Sequence, residues 1–336
     1  MLLNNLKFFS ISIFLISFGL SDLNIYTHRH YEADKTLFKK FTKKTGIKIN
    51  VIKGSADQLI QRLKSEGKSS PADILLTVDA GRLVRAKKLG ILQPIISNKL
   101  MKNIPENMRD SENYWFGLTV RARVIVYAKD KINKRDLSTY EDLAHPKWKG
   151  KLVIRSSNNI YNQSLMASII ESNGSKEALN WAKAVSGNMA RKPRGNDRDQ
   201  ARAVASGVAD LAVINTYYLG LLANSSDKAD RGVSDKLKVF FPNQNGRGAH
   251  INVSGGGVTA SSKNKKEAIK FLEFLTENEN QKIFSESNYE YPLDYKNTSA
   301  EIFLKWGEFK ADNMSLSILG LRNTEAVRLF DLAGWE

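Results

Sequence analysis

Residues 115–128, WFGLTVRARVIVYA, and 250–260, HINVSGGGVTA, are two long extended runs in a chain that otherwise alternates short apolar strands with amphipathic segments. Each is long enough to carry the chain from one lobe of a molecule to another, and together they read as a pair of hinge strands. A plain loop at Gly255-Gly256-Gly257 is the competing reading, because a glycine run is weak punctuation by itself. On the hinge reading one lobe holds residues 22–118 plus about 251–297. The other holds 119–250 plus about 298–336.

Outward from these runs, β-branched or aromatic-rich stretches with breakers beside them predict strands at Leu23–Tyr26, Ile47–Ile52, Ala72–Val78, Leu152–Ile154, Leu211–Ile214 and Lys238–Phe241. Helical spacing lies between them. Leu37, Phe38 and Phe41 fall on one face of a segment over 33–45 that stops before Gly46, and Leu59, Ile60 and Leu63 do the same over 57–66 before Gly67. Strand and helix in alternation give an α/β class.

The 336 residues suit two domains, and 42% hydrophobic with 26% charged residues is ordinary globular composition. With no Cys, disulfides, thiolate metal sites and Cys nucleophiles are excluded, so a bound metal must use oxygen or imidazole nitrogen. The N-terminus has one Lys, an apolar run over 8–20 and a small-x-small pattern at Gly19 and Ser21, the layout of a signal peptide over 1–21. Its removal takes only Lys7 from the charges and lowers the net charge from +16 to +15. The basic residues are spread in short clusters, and export argues against nucleic acid as a partner. The expected location is a bacterial periplasm, with no stable membrane insertion after cleavage.

In parallel α/β sheets a ligand sits beyond the carboxyl ends of the strands, where helix N-termini present N–H groups. The four strand-to-helix junctions are 26–31, 79–81, 155–161 and 215–218, and three of them carry Tyr. Any one Tyr packs its ring and finds its hydroxyl a backbone partner in most settings. Tyr31, Tyr161, Tyr217 and Tyr218 together would converge on one crevice, with His30 beside Tyr31. Phenols ionise near pH 10, so a buried cluster of them is useful chiefly to a strongly cationic ligand, and ferric iron, Fe(III), suits anionic oxygen. Four phenolates on Fe(III) leave a net −1. Arg121, alternating with Arg123 along 115–128, is the candidate to offset it, against the plainer role of a solvated strand charge.

The stretches THRHYEAD (27–34), SPADILLTVDAGRL (70–83), RSSNNIYNQSL (155–165) and NTYYLG (215–220) resemble the periplasmic ferric-iron-binding proteins of ABC transporters, especially their cyanobacterial FutA-like branch. The resemblance covers nearly the whole mature chain. It implies a two-lobed type II periplasmic-binding-protein fold with a ligand cleft between lobes. It also implies Fe(III) as transported ligand, Tyr31, Tyr161, Tyr217 and Tyr218 as ligands, His30 at the site, Arg121 behind it, an inner-membrane ABC permease as partner and a monomeric protein without enzyme activity. Another branch places a Glu near Ala56-Asp57-Gln58 and uses an exogenous anion; Gln58 here disfavours that arrangement. Close relatives tend to carry Arg where this chain has Leu221.

Two further readings stand beside this one. The first is a receptor for another small anion or a cationic solute, with the tyrosines as packing walls. The second is an exported hydrolase using His28 and His30, whose i, i+2 spacing can point both rings one way. His145 and His250 are too isolated to complete such a site, and no nucleophile elbow, HExxH helix or phosphate loop is present.

Overall fold

The computed structural model describes residues 22–29, 31–298 and 300–336. The signal-peptide assignment over 1–21 and His30 lie outside the described residues. Eight strands are present among them: β1 (Leu23–Thr27), β2 (Ile49–Lys53), β3 (Ile74–Val78), β4 (Phe116–Ala128), β5 (Leu152–Val153), β6 (Leu211–Asn215), β7 (Leu237–Phe240) and β8 (Ile251–Val258). Each coincides, within two residues at either end, with a stretch that reads as extended from sequence.

Their order is β2-β1-β3-β8-β4-β6-β5, with β7 also on β4. β1 runs parallel to β2 and β3, and β5 parallel to β6, whereas β4 and β8 run antiparallel to their neighbours. The division of labour along β4 makes the fold. Its first half, Phe116 to Ala122, pairs with β8, and its second half, Arg123 to Ala128, pairs with β6 and β7. β8 in turn joins β3 through Ser254–Val258 and β4 through Ile251–Gly256. The two extended runs are therefore adjacent strands shared by both halves of the sheet.

The glycine run is strand, not loop. A Cβ on Gly255 would run into the Phe116 carbonyl oxygen and one on Gly257 into that of Tyr114, so glycine is what lets β4 and β8 approach here.

The helices follow local signals. Over Glu32–Thr45, Leu37 and Phe41 are buried, with Phe41 edge-on to Phe271 at 5.1 Å and Phe274 at 5.3 Å, and Gly46 closes the helix at φ 75°. Over Ala56–Glu66, Ser55 and Gln58 cap each other reciprocally. Gln58 is exposed and committed to that cap. No helix of the described residues is long and apolar enough to cross a membrane.

Candidate metal centre

The parallel strands end at helix N-termini, and those termini bring the tyrosines together. Tyr31 is the N-cap residue of helix Glu32–Thr45 after β1. Tyr161 sits in the first turn of helix Ile160–Asn173, where the Asn159 side chain accepts from the Tyr161 N–H. Tyr217 and Tyr218 open helix Thr216–Ala223 after β6. All four line one cleft of about 490 Å³. Within it the Tyr161 and Tyr217 hydroxyls are 3.2 Å apart and the Tyr217 and Tyr218 rings lie 4.2 Å apart.

Burial raises the Tyr31 phenol well above its ordinary value, and the negative charge of Glu290 adds to the effect. Burial does the same for Tyr217, reinforced by Tyr161, Tyr218 and Tyr31. Tyr218 is also raised, again chiefly by burial. These phenols are neutral at any ordinary pH unless a strong cation replaces their protons.

Beneath them lies Arg121, 1% exposed, with its guanidinium carbon 5.9 Å from the Tyr161 ring centre and 5.8 Å from that of Tyr217. One of its nitrogens, Nη2, donates to the Ser254 hydroxyl at 2.7 Å and lies 3.5 Å from a Glu290 carboxylate oxygen. Nε and Nη1 are buried without a hydrogen-bond partner among the described residues. The plainer reading of Arg121, a solvated strand charge, is overturned by this burial. Its charge does not stand alone: Glu290, itself fully buried, sits against it.

A second buried arginine holds the tyrosine-bearing helices in place. Arg123 donates to Asp197 at 2.8 Å, to Asn215 at 3.3 Å and to Asn162 at 2.7 Å, joining residues around three helix starts. Asp197 also accepts from the Asn215 N–H at 3.0 Å and lies 3.6 Å from Arg155. On the opposite side Arg29 pairs with Asp34 at 2.8 Å and stands over the Tyr31 ring at 5.0 Å.

Contacts also cross between the halves. Asp79, after β3, accepts from Ser164 on helix Ile160–Asn173 at 2.9 Å and from Asn252 of β8 at 2.8 Å. Gly220 meets Tyr289 so closely that an added Cβ would fall 2.5 Å from the Tyr289 Cβ. Gly220→Ala is expected to push these elements apart and weaken ligand retention several-fold, with a loss of about 1–3 kcal/mol of stability, the usual cost of overpacking. Thermal unfolding together with the ligand off-rate checks it; unchanged values for both would refute the close contact.

Arg29, Arg82, Arg155 and Arg198 line the cleft as well, and sequence reading did not single them out. Arg29 and Arg155 lie inside the quoted junctions, so scanning those for charge as well as for Tyr finds them, whereas Arg82 lies one residue past a junction and Arg198 in the helix Asp197–Ala205. Leu221 is also on the cleft wall. The described histidines, His28, His145 and His250, lie apart. His28 lines the cleft, His145 caps a short turn by accepting from the Lys147 N–H, and His250 is buried, its imidazole pushed down to about 3 chiefly by burial.

The family model described as "Bacterial extracellular solute-binding protein" matches residues 69–311. The chain is 49% identical over 315 residues to "Iron uptake protein A1" of Synechocystis sp., covering 94% of this chain and 88% of that protein. A solved structure of "Trichodesmium (IdiA) (FutA) in complex with iron and citrate ligands" superposes with a TM-score of 0.91 at 53% identity, covering 94% of this chain and 100% of that one. The "Ferric binding protein from Campylobacter jejuni" superposes with a TM-score of 0.89 at 46% identity, over 94% and 100% of the two chains. With the two shared strands β4 and β8 and the tyrosine-lined cleft, these likenesses establish that the chain belongs to the bacterial extracellular solute-binding protein family.

Proposed function

We propose that this chain is an extracytoplasmic solute-binding protein that captures ferric iron through the phenolates of Tyr31, Tyr161, Tyr217 and Tyr218 and delivers it to an ABC-type importer. The observation that carries the reading is the buried Arg121 guanidinium, two of whose nitrogens find no partner among the described residues, beneath phenols whose hydroxyls approach to 3.2 Å. A neutral phenol pair adds little for a buried cation beyond what Glu290 supplies on its other side. Phenolates on a trivalent ion give it an anionic cluster to face.

The chemistry is ligand exchange, not catalysis. Iron displaces the phenol protons, the halves close on it about β4 and β8, and the closed form is what an inner-membrane permease recognises. In this reading the lobes are 22–118 plus about 251–297 and 119–250 plus about 298–336, the chain acts as a monomer in the periplasm after loss of 1–21, and His30 is a further candidate at the site. The iron-bearing Trichodesmium structure and the ferric-binding relatives support the choice of cargo.

Purified protein loaded with Fe(III) is expected to show a visible phenolate-to-iron charge-transfer band. Because each phenolate made releases one proton, about four protons per iron should appear on loading, and affinity should fall as pH falls. A pH-stat titration measures the proton count. A colourless complex with no proton release would defeat the proposal. The arginines on the cleft wall favour a second reading, a receptor for an organic anion, and binding of such an anion without metal, undiminished by Tyr161→Phe, would select it.

A further inference from the structure

Glu290 is fully buried, yet it belongs to no helix or strand and has no role in the iron chemistry set out above. It follows helix Asn278–Asn288 on a segment that returns to the hinge, where the Tyr291 backbone pairs with Val120. Its carboxylate accepts from the Thr119 hydroxyl at 2.8 Å, the Ser254 hydroxyl at 2.9 Å and the Asn288 amide at 3.0 Å, and lies 3.5 Å from Arg121. Thr119 is on β4 and Ser254 on β8, so both hinge strands hold it in place.

A fully buried carboxylate is costly unless paired and hydrogen-bonded, and here it has three hydrogen-bond donors and a guanidinium 3.5 Å away. Its position decides what Arg121 contributes. Four phenolates on Fe(III) carry −1, and Arg121 alone would bring the local charge to zero. With Glu290 the sum returns to −1. A site held at −1 by fixed, buried groups favours the trivalent over the divalent ion, because reduction would leave −2 in a low-dielectric pocket.

We propose that Glu290 is a positioning residue that offsets the Arg121 charge and thereby sets the preference of the site for Fe(III) over Fe(II). The inference rests on the iron reading above and assigns the source of its valence selectivity. It also gives Arg121 and Glu290 opposite effects, which a merely structural role for either would not produce.

The test measures the reduction potential and charge-transfer band of iron bound to the full mature chain, in wild type, Glu290→Gln and Arg121→Gln. For Glu290→Gln the ratio of Fe(III) to Fe(II) affinity is expected to fall about tenfold, a potential shift of about +59 mV for one electron. Arg121→Gln should move it in the opposite direction. Glu290→Asp covers the case in which the glutamine variant does not accumulate: its shorter carboxylate withdraws from Arg121 and should give a smaller shift of the same sign as Glu290→Gln. A phenolate band in every variant with the ratio unchanged within twofold would overturn the role of Glu290 and leave the iron reading standing. Absence of the band from wild type would overturn both.

Discussion

Tyr217→Phe should weaken and shift the visible absorption of the iron-loaded protein and lower its Fe(III) affinity by more than the roughly 10–100-fold that loss of an outer-sphere partner costs. The phenol removed stands 3.2 Å from the Tyr161 hydroxyl, packs against the tilted Tyr218 ring and lies over Arg121, so no neighbouring oxygen can take its place without moving a helix start. Phe keeps the ring, its packing and nearly its volume, so folding should survive and the loss should report on the oxygen alone. Tyr161→Phe is expected to behave alike. Tyr26→Phe is the contrast: that phenol donates to Glu66, away from the cleft, and its loss should leave the band untouched. Equal colour in Tyr217→Phe and Tyr26→Phe, measured by anaerobic iron titration and absorbance, would remove the tyrosines from the metal site.

The second large effect is on stability. Asp197→Ala should cost about 3–5 kcal/mol, because it leaves Arg123 buried and unpaired and removes the acceptor of the Asn215 N–H. For a chain of this size that is a fall in Tm on the order of 10 °C. The damage should reach the metal as well. Arg123 holds Asn162, on the helix that carries Tyr161, and Asn215, which precedes the helix that carries Tyr217 and Tyr218. Loosening it should broaden the charge-transfer band of any iron still bound. Calorimetry of Asp197→Ala and Asp197→Asn separates charge from shape, and a midpoint within about 2 °C of wild type in the alanine variant would refute the hub.

Much of the candidate site is legible in the residues because its candidate donors lie at strand ends, and strand ends are marked locally. Tyr31, Tyr161, Tyr217 and Tyr218 each stand within a few residues of a β-branched run and a helix start, which is where the sheet geometry places ligands. Arg121 and Arg123 could be placed on a strand by alternation, though not on a depth. Their burial depends on what covers the strand, and alternation is silent about that when both faces are enclosed.

The charges of the second layer were not legible for a related reason. Glu290 lies in an irregular segment with no periodicity to assign it a face, and it meets Thr119 across 171 positions of sequence. Asp79 meets Ser164 across 85.

By itself the sequence determined the α/β class, the strands and their ends, the two long runs that join the halves, and the four phenols as a candidate donor set. Each of these is written in neighbouring residues, through period, breaker and cap. Only the tertiary structure decided that the glycine run is a close-packed strand, that Arg121 is buried against Glu290, and that Arg123 with Asp197 ties three helix starts together. Those facts depend on which distant side chains share a water-excluded space. In that space the cost of an unpaired charge, negligible along an unfolded chain, becomes large enough to dictate the partners.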